Sequence, residues 1–252
     1  MARALLRALA REYGKDARVT QLLRRAEVSI VPLLNPDGAQ RVWDRAGWTS
    51  FRGSRVTARG VDPNRNFPSV PIAGARAWNS SSRRTWSPYY SGPYPLSEPE
   101  CLALARLCKR QRYCAAIHFH SFGGVVFFPA TGHPAAKQMF DVFRSVFPPA
   151  QRYLRYRPVP EPMSTLTGQL DLFLLQAFGT PSVTVEVSRP SWHLALQPLR
   201  WLHFFSWANP PNPQWWADND VPAAIQALEA LLDRSGGQPL LPEHPELGEQ
   251  VP

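Results

Sequence analysis

The chain has 252 residues, enough for one large α/β domain or two small ones with a real core. A hydrophobic content of 44% with nine Trp excludes a disordered polypeptide, and 27 Pro, about twice ordinary usage, exclude many long uninterrupted elements. The net charge of +9 is scattered as Arg from Arg3 to Arg234 and not gathered into a stripe, which argues against nucleic-acid binding and leaves a general attraction for acidic partners.

The longest apolar runs are strand-sized, so no membrane span is predicted. Ala4-Leu5-Leu6 is broken by Arg7, Arg11 and Glu12; the sequence shows no signal-peptide core and leaves the compartment open. Cys101, Cys108 and Cys114 form no CxxC, and the first two stand two helical turns apart, beyond disulfide reach. They read as small buried apolar residues.

Leu5, Leu6, Leu9 and Tyr13 recur at helical spacing and predict a first helix over 2–13, closed by Gly14; a second follows over 19–25. Residues 28–34 form a nearly continuous apolar run, predicted as a strand buried on both faces and stopped by the turn Asn35-Pro36-Asp37-Gly38. Residues 39–96, rich in Gly, Pro, Ser, Arg and aromatic rings, read as one long functional loop. Ser97-Glu98-Pro99-Glu100 predicts a capping box and a helix to about Arg112. Strands are predicted over 114–120, 125–128 and 182–187, and helices over 133–147 and 166–178, the second closed by Gly179. A last helix is predicted from an Asp220 N-cap to Gly236, and 238–252 as a loose Pro- and Glu-rich tail behind a domain of residues 1–237. The alternation predicts an α/β fold with a mixed, mainly parallel sheet covered by helices on both faces.

In such sheets ligands bind beyond the carboxyl ends of strands, which directs attention to Asn35, to His118 and His120, and to Glu186. The two imidazoles share one face of their strand, and imidazole is the commonest metal ligand; a core His bonded to backbone is the plainer alternative. Glu186 lies on the side of its strand with Thr184, opposite Val183, Val185 and Val187. Partial desolvation there raises a carboxylate toward general-base range, whereas pairing with Arg189 would make it structural. The octet Gly60-Val61-Asp62-Pro63-Asn64-Arg65-Asn66-Phe67 concentrates a guanidinium, two carboxamides and a carboxylate. It reads either as an Asx-rich surface turn or as a loop offering a donor fork to a carboxylate.

Asn35-Pro36-Asp37-Gly38, then the octet, then Tyr90-Ser91-Gly92 and Ser97-Glu98-Pro99-Glu100, then His120-Ser121-Phe122 and Thr184-Val185-Glu186-Val187 run in an order that resembles the zinc metallocarboxypeptidases of the carboxypeptidase A type. The resemblance extends from about Ala2 to Glu186 and fades beyond. It implies a carboxypeptidase-like fold for 1–237 and hydrolysis of a C-terminal peptide bond in a peptide or peptide-like substrate. It also implies Zn²⁺ on His120, Glu186 as base, and Asn64 and Arg65 on the substrate carboxylate. Arg55 is implied for the oxyanion, with Arg52 as its rival. Leu170 near the side-chain pocket implies an apolar or aromatic terminal residue, with Asp171 structural.

Two departures accompany the match. The family's other two zinc ligands lie in a His-x-x-Glu motif, absent from this chain, so one family ligand of three is present and the domain is expected to be incomplete at the N-terminus, with an unpaired sheet edge and low solubility or partner dependence. The family's substrate-covering tyrosine also has no counterpart, Met163 or Ser164 occupying that region. Two other functions stay open: an inactive carboxylate-binding remnant without metal, and an unrelated HxH metal hydrolase drawing on His118, His120, His193 and His203.

Overall fold

Val183, Val185 and Val187 alternate with Ser182, Thr184 and Glu186, and this period-2 pattern sets the centre of the sheet. In the computed structural model, which describes residues 1–71, 80–159, 165–189, 205, 209, 212–242 and 244–252, four strands form the order β1-β4-β2-β3. They are β1 (Ala116–Ser121), β2 (Val125–Phe127), β3 (Arg157–Pro158) and β4 (Ser182–Val187). β1 runs parallel to β4 with His120 opposite Glu186, β2 is antiparallel to β4, and β3 is parallel to β2. The sheet is mixed, as predicted.

Helices are α1 (Ala2–Glu12), α2 (Ala17–Arg25), α3 (Pro36–Asp44), α4 (Phe51–Arg55), α5 (Pro99–Gln111), α6 (Pro134–Ala150), α7 (Leu170–Phe178), α8 (Pro213–Ser235) and α9 (Pro245–Glu249) among the described residues. On one face, Val183 and Val185 join Val126, Phe128 and the Phe140, Phe143 and Phe147 stripe of α6, with Ala223, Ala224 and Ala227 of α8. On the other, α5 and α7 share a core of Cys101, Ala105, Cys108, Phe173 and Phe178. Thr184 reaches that side, its Oγ1 donating to Asp171 Oδ2 of α7 at 2.9 Å. The three thiols are free, and burial pushes Cys108 up to about 12.

Five predicted features are corrected. The run 28–34 joins no ladder, and Val31 and Leu33 are 43% and 55% exposed. It shares with β1 a cleft of about 620 Å³ that residues 28–34, Leu104, Ile117 and Phe119 line. An apolar run becomes a strand only where its backbone groups are paired, and residues 28–34 stand across the cleft from the free edge of β1 without pairing to it. The span 39–96 is not one loop: α3 and α4 lie in it, started by Asn35 and Ser50, whose side-chain oxygens accept from Gly38 N and Gly53 N. No capping box forms at α5, because Ser97 and Glu98 are drawn into a buried network, although Pro99 does open the helix.

The helix predicted as the last is α8, which begins at Pro213 behind an Asn212 cap and not at Asp220, and α9 follows it. Asp220 is instead buried at mid-helix, accepting from Gln151 Nε2 at 2.6 Å and Tyr156 Oη at 2.8 Å, and so ties α8 to the loop before β3. The end of the predicted loose tail is anchored: Leu247 and Val251 enter the core beside Phe173 and Phe178, and Lys109 Nζ donates to the Gly248 and Val251 carbonyls. No helix among the described residues is long and apolar enough to cross a membrane.

Candidate active site

The octet folds into a knot closed by its own polar side chains. Asp62 caps a short 3₁₀ turn (Pro63–Arg65), its Oδ1 accepting from Asn64 N at 3.1 Å and its Oδ2 from Arg55 Nε at 2.7 Å. Asn66, fully buried, donates through Nδ2 to Ser91 O, Tyr94 O and Ser97 Oγ and accepts from Glu98 N through Oδ1. Glu98 in turn accepts from Thr57 Oγ1 at 2.7 Å. Gly92 and Gly168 make this closeness possible. Both have positive φ, and a Cβ on Gly168 would sit 2.6 Å from the Arg65 carbonyl oxygen, while one on Gly92 would meet Asn66 Nδ2 at 2.8 Å. The octet is therefore neither a surface turn nor a mobile loop: Val61, Asp62, Arg65, Asn66 and Phe67 are all buried.

Asn64 bridges the knot to α7, its Oδ1 accepting from Leu170 N at 3.1 Å. Arg65 is nearly buried, its Nη1 donates to the Asn64 carbonyl at 2.5 Å, and its Nε has no partner. Burial, then the neighbouring Arg55 charge, lowers its pKa, which Asp62 partly offsets. A desolvated guanidinium with donor capacity to spare is poised for an anion.

Across the sheet, His120 Nδ1 lies 3.9 Å from Glu186 Oε1, the two side chains 32% and 21% exposed. Burial raises Glu186 to about 7, against the opposing pull of Arg55 and Arg65. Burial, then the same two arginines, lowers His120 to about 4, so its imidazole is neutral at neutral pH. Arg55 and Arg65 thus act on the site from the octet side. The rival Arg52 turns elsewhere, its Nη2 donating to Thr85 O at 3.0 Å. His118 does not join His120: it is bonded to Ser182 Oγ, and burial drives its pKa down to about 3. Asp171 is fully engaged by Thr184 and by Leu172 N at 2.8 Å, as a structural residue is. Met163, Ser164, His193 and His203 lie outside the described residues.

A family model described as zinc carboxypeptidase matches residues 1–159, more than half of the chain. The chain belongs to the zinc carboxypeptidase family. Among curated members it is 37% identical over 123 residues to carboxypeptidase B2 of Bos taurus, covering 46% of this chain and 28% of that one. Carboxypeptidase A2 of Mus musculus is 33% identical over 151 residues, covering 57% and 34%. A more distant member, gamma-D-glutamyl-L-diamino acid endopeptidase 1 of Lysinibacillus sphaericus, is 27% identical over 185 residues, covering 66% and 43%. This zinc carboxypeptidase homologue therefore spans between about a quarter and under half of the length of these relatives. Among solved structures, thrombin-activatable fibrinolysis inhibitor aligns with a TM-score of 0.67 at 21% identity, over 93% of this chain and 57% of that one. The bovine form, in complex with a tick carboxypeptidase inhibitor, aligns with a TM-score of 0.64 at 20% identity, over 91% and 74%. The fold is carboxypeptidase-like.

The family name implies zinc. A catalytic zinc needs three protein ligands and an open position. Among the described residues no group of three or more His, Cys, Asp or Glu stands close enough to share an ion. Among the described residues His120 and Glu186 stand together at this centre, under the influence of the cations Arg55 and Arg65. The described residues do not by themselves fit a zinc site.

Sequence reading missed two contributors. Asn66 looked like a second presenter of polar atoms and is the hub of the knot. Tyr89 went unmarked, yet its ring lies 5.0 Å from the Arg55 guanidinium and 5.6 Å from that of Arg65. An aromatic one residue before the Tyr90-Ser91-Gly92 match was the available signal.

Proposed function

We propose that this chain receives the C-terminal end of a peptide or peptide-like substrate, holds its free carboxylate on Asn64 and Arg65, and presents Glu186 as the base for hydrolysis of the last peptide bond. The observation that carries this reading is the buried Arg65 guanidinium with an unpartnered Nε, beside a second arginine and facing a carboxylate whose pKa is about 7. Asn64 already uses Oδ1 on the Leu170 amide, so its NH₂ is the part left to donate. Glu186, near balance at neutral pH, takes a proton from the attacking water and returns it to the leaving amine nitrogen. Arg55 meets the negative charge that develops on the scissile carbonyl oxygen. Leu170, at the first turn of α7, favours an apolar or aromatic terminal side chain.

Among the described residues His120, neutral and near the end of β1, is the imidazole at this centre able to ligate a metal. Zinc held there requires donors beyond the described residues.

The test compares N-acetyl-phenylalanine with its C-terminal amide by calorimetric titration of the 252-residue chain. The acid binds roughly tenfold or more tightly, since an unmet charged donor is involved, and Arg65→Met abolishes the preference. Equal affinity for acid and amide in the unaltered chain overturns the proposal. A second reading, a carboxylate-binding module without hydrolysis, is favoured by the lack of a three-donor group among the described residues. Mass spectrometry of a free-ended peptide with added zinc separates the two: release of the terminal residue supports hydrolysis, and acid preference without release supports the binding module.

A further inference from the structure

We propose that Tyr89 is a positioning residue of the carboxylate site, whose ring holds the two like-charged guanidinium groups of Arg55 and Arg65 together in the arrangement a single carboxyl-terminal residue needs. The inference rests on the clamp reading above. Two arginines that act on the same histidine and the same carboxylate also repel each other, and that repulsion is among the influences lowering the Arg65 pKa. Asp62 relieves it from one side, through its 2.7 Å ion pair with Arg55 Nε. Tyr89 relieves it from the other: Arg55 lies 5.0 Å and Arg65 5.6 Å from its ring centroid, within range for the negative face of an aromatic ring to attract a cation. Arg55 also lies 5.4 Å from the Phe51 ring, which meets Tyr89 edge-on at 5.8 Å, so Arg55 is bounded by two rings and a carboxylate.

The ring is itself held by backbone. Tyr89 N donates to Ser87 Oγ at 3.1 Å and its carbonyl accepts from Ser82 N at 2.9 Å. The next carbonyl, of Tyr90, accepts from Asp62 N at 2.8 Å, joining the ring's loop to the octet. Tyr89 is therefore fixed relative to both arginines, and still 37% exposed, so it is not a core residue kept for packing alone. Arg fork geometry must be preorganised to grip a carboxylate with two parallel hydrogen bonds. A ring shared by two cations does that without neutralising either, which a second carboxylate would do.

The experiment titrates N-acetyl-phenylalanine and its amide into the 252-residue chain carrying Tyr89→Phe, Tyr89→Trp or Tyr89→Leu, with thermal melts of each. Tyr89→Phe and Tyr89→Trp keep a ring face and retain the acid-over-amide preference within about twofold. Tyr89→Leu keeps apolar bulk without the ring face and lowers the preference roughly three- to tenfold, with the melting temperature unchanged within about 2 °C. Loss of the preference in the unaltered chain overturns the clamp reading itself. An intact preference in Tyr89→Leu, or equal losses in Tyr89→Phe and Tyr89→Leu, overturns the role of the ring while leaving the clamp standing. A Tyr89→Leu chain that melts early is judged by the Tyr89→Phe and Tyr89→Trp pair, where loss in both also overturns it.

Discussion

The knot around Asn66 and the run from Val28 to Leu34 are held in place by opposite means. The knot is polar in sequence, yet it is buried, because Asn66, Asp62, Thr57 and Glu98 satisfy one another and the nearby backbone at close range. The run is apolar in sequence, yet Val31 and Leu33 are substantially exposed, because a strand's backbone groups must be paired by another strand. A closed set of side-chain hydrogen bonds can fix a loop locally. An apolar strand depends on a partner arriving from elsewhere in the chain.

The comparison is broken most directly at Asn66. Asn66→Ala strands Glu98 N, two carbonyls and the Ser97 hydroxyl, and is expected to cost about 4 kcal/mol in urea denaturation. A loss under about 1 kcal/mol would mean that the knot is held by packing and not by its polar hub.

Asp171, beneath the knot, gives a pH test. Burial raises its pKa from 3.8 to about 6, so between those values the folded state keeps a proton that the unfolded state has released. Stability on its account falls as pH rises through that window, by about 3 kcal/mol in all. Asn cannot ionise, so the stability of Asp171→Asn relative to the parent should climb by about that amount across the same window. A flat difference between the two chains would show that Asp171 is not desolvated.

Gly168→Ala should come next, at about 2–3 kcal/mol, because a Cβ at positive φ would strike the Arg65 carbonyl. It should weaken N-acetyl-phenylalanine binding as well, which a purely distant loss of stability would not. Smallest of all is Leu33→Ser in the apolar run. Within about 0.5 kcal/mol of the parent, it would fit an exposed segment, whereas a strand buried on both faces would lose about 2–3 kcal/mol.

Strand alternation and the ordered family motifs single out Glu186, His120 and Arg65; in the fold Glu186 and His120 lie opposite each other on β4 and β1, and the Arg65 charge acts on both. The preference for Arg55 over Arg52 rests on the motif match alone; only the fold shows two arginines three positions apart on one short helix turning to different neighbours, Asp62 and the Thr85 carbonyl. Asp220 misled for a related reason. An Asp ahead of an apolar helical pattern reads as a cap, and only the approach of Gln151 and Tyr156 from another part of the chain makes a buried mid-helix carboxylate tolerable. The 238–252 segment read as loose because Pro and Glu dominate it, while Leu247 and Val251 carry its packing.

By itself the sequence determined the α/β class, the mixed sheet, the family, and the residue types gathered at strand ends, because periodicity and motif order are local or linear properties of the chain. Tertiary structure alone decided that the octet is a buried knot, that the Tyr89 ring lies 5.0 and 5.6 Å from two arginines, and that residues 28–34 stay outside the sheet. Each of those depends on which distant group arrives within about 3–6 Å to satisfy a hydrogen bond, balance a charge or pair an edge.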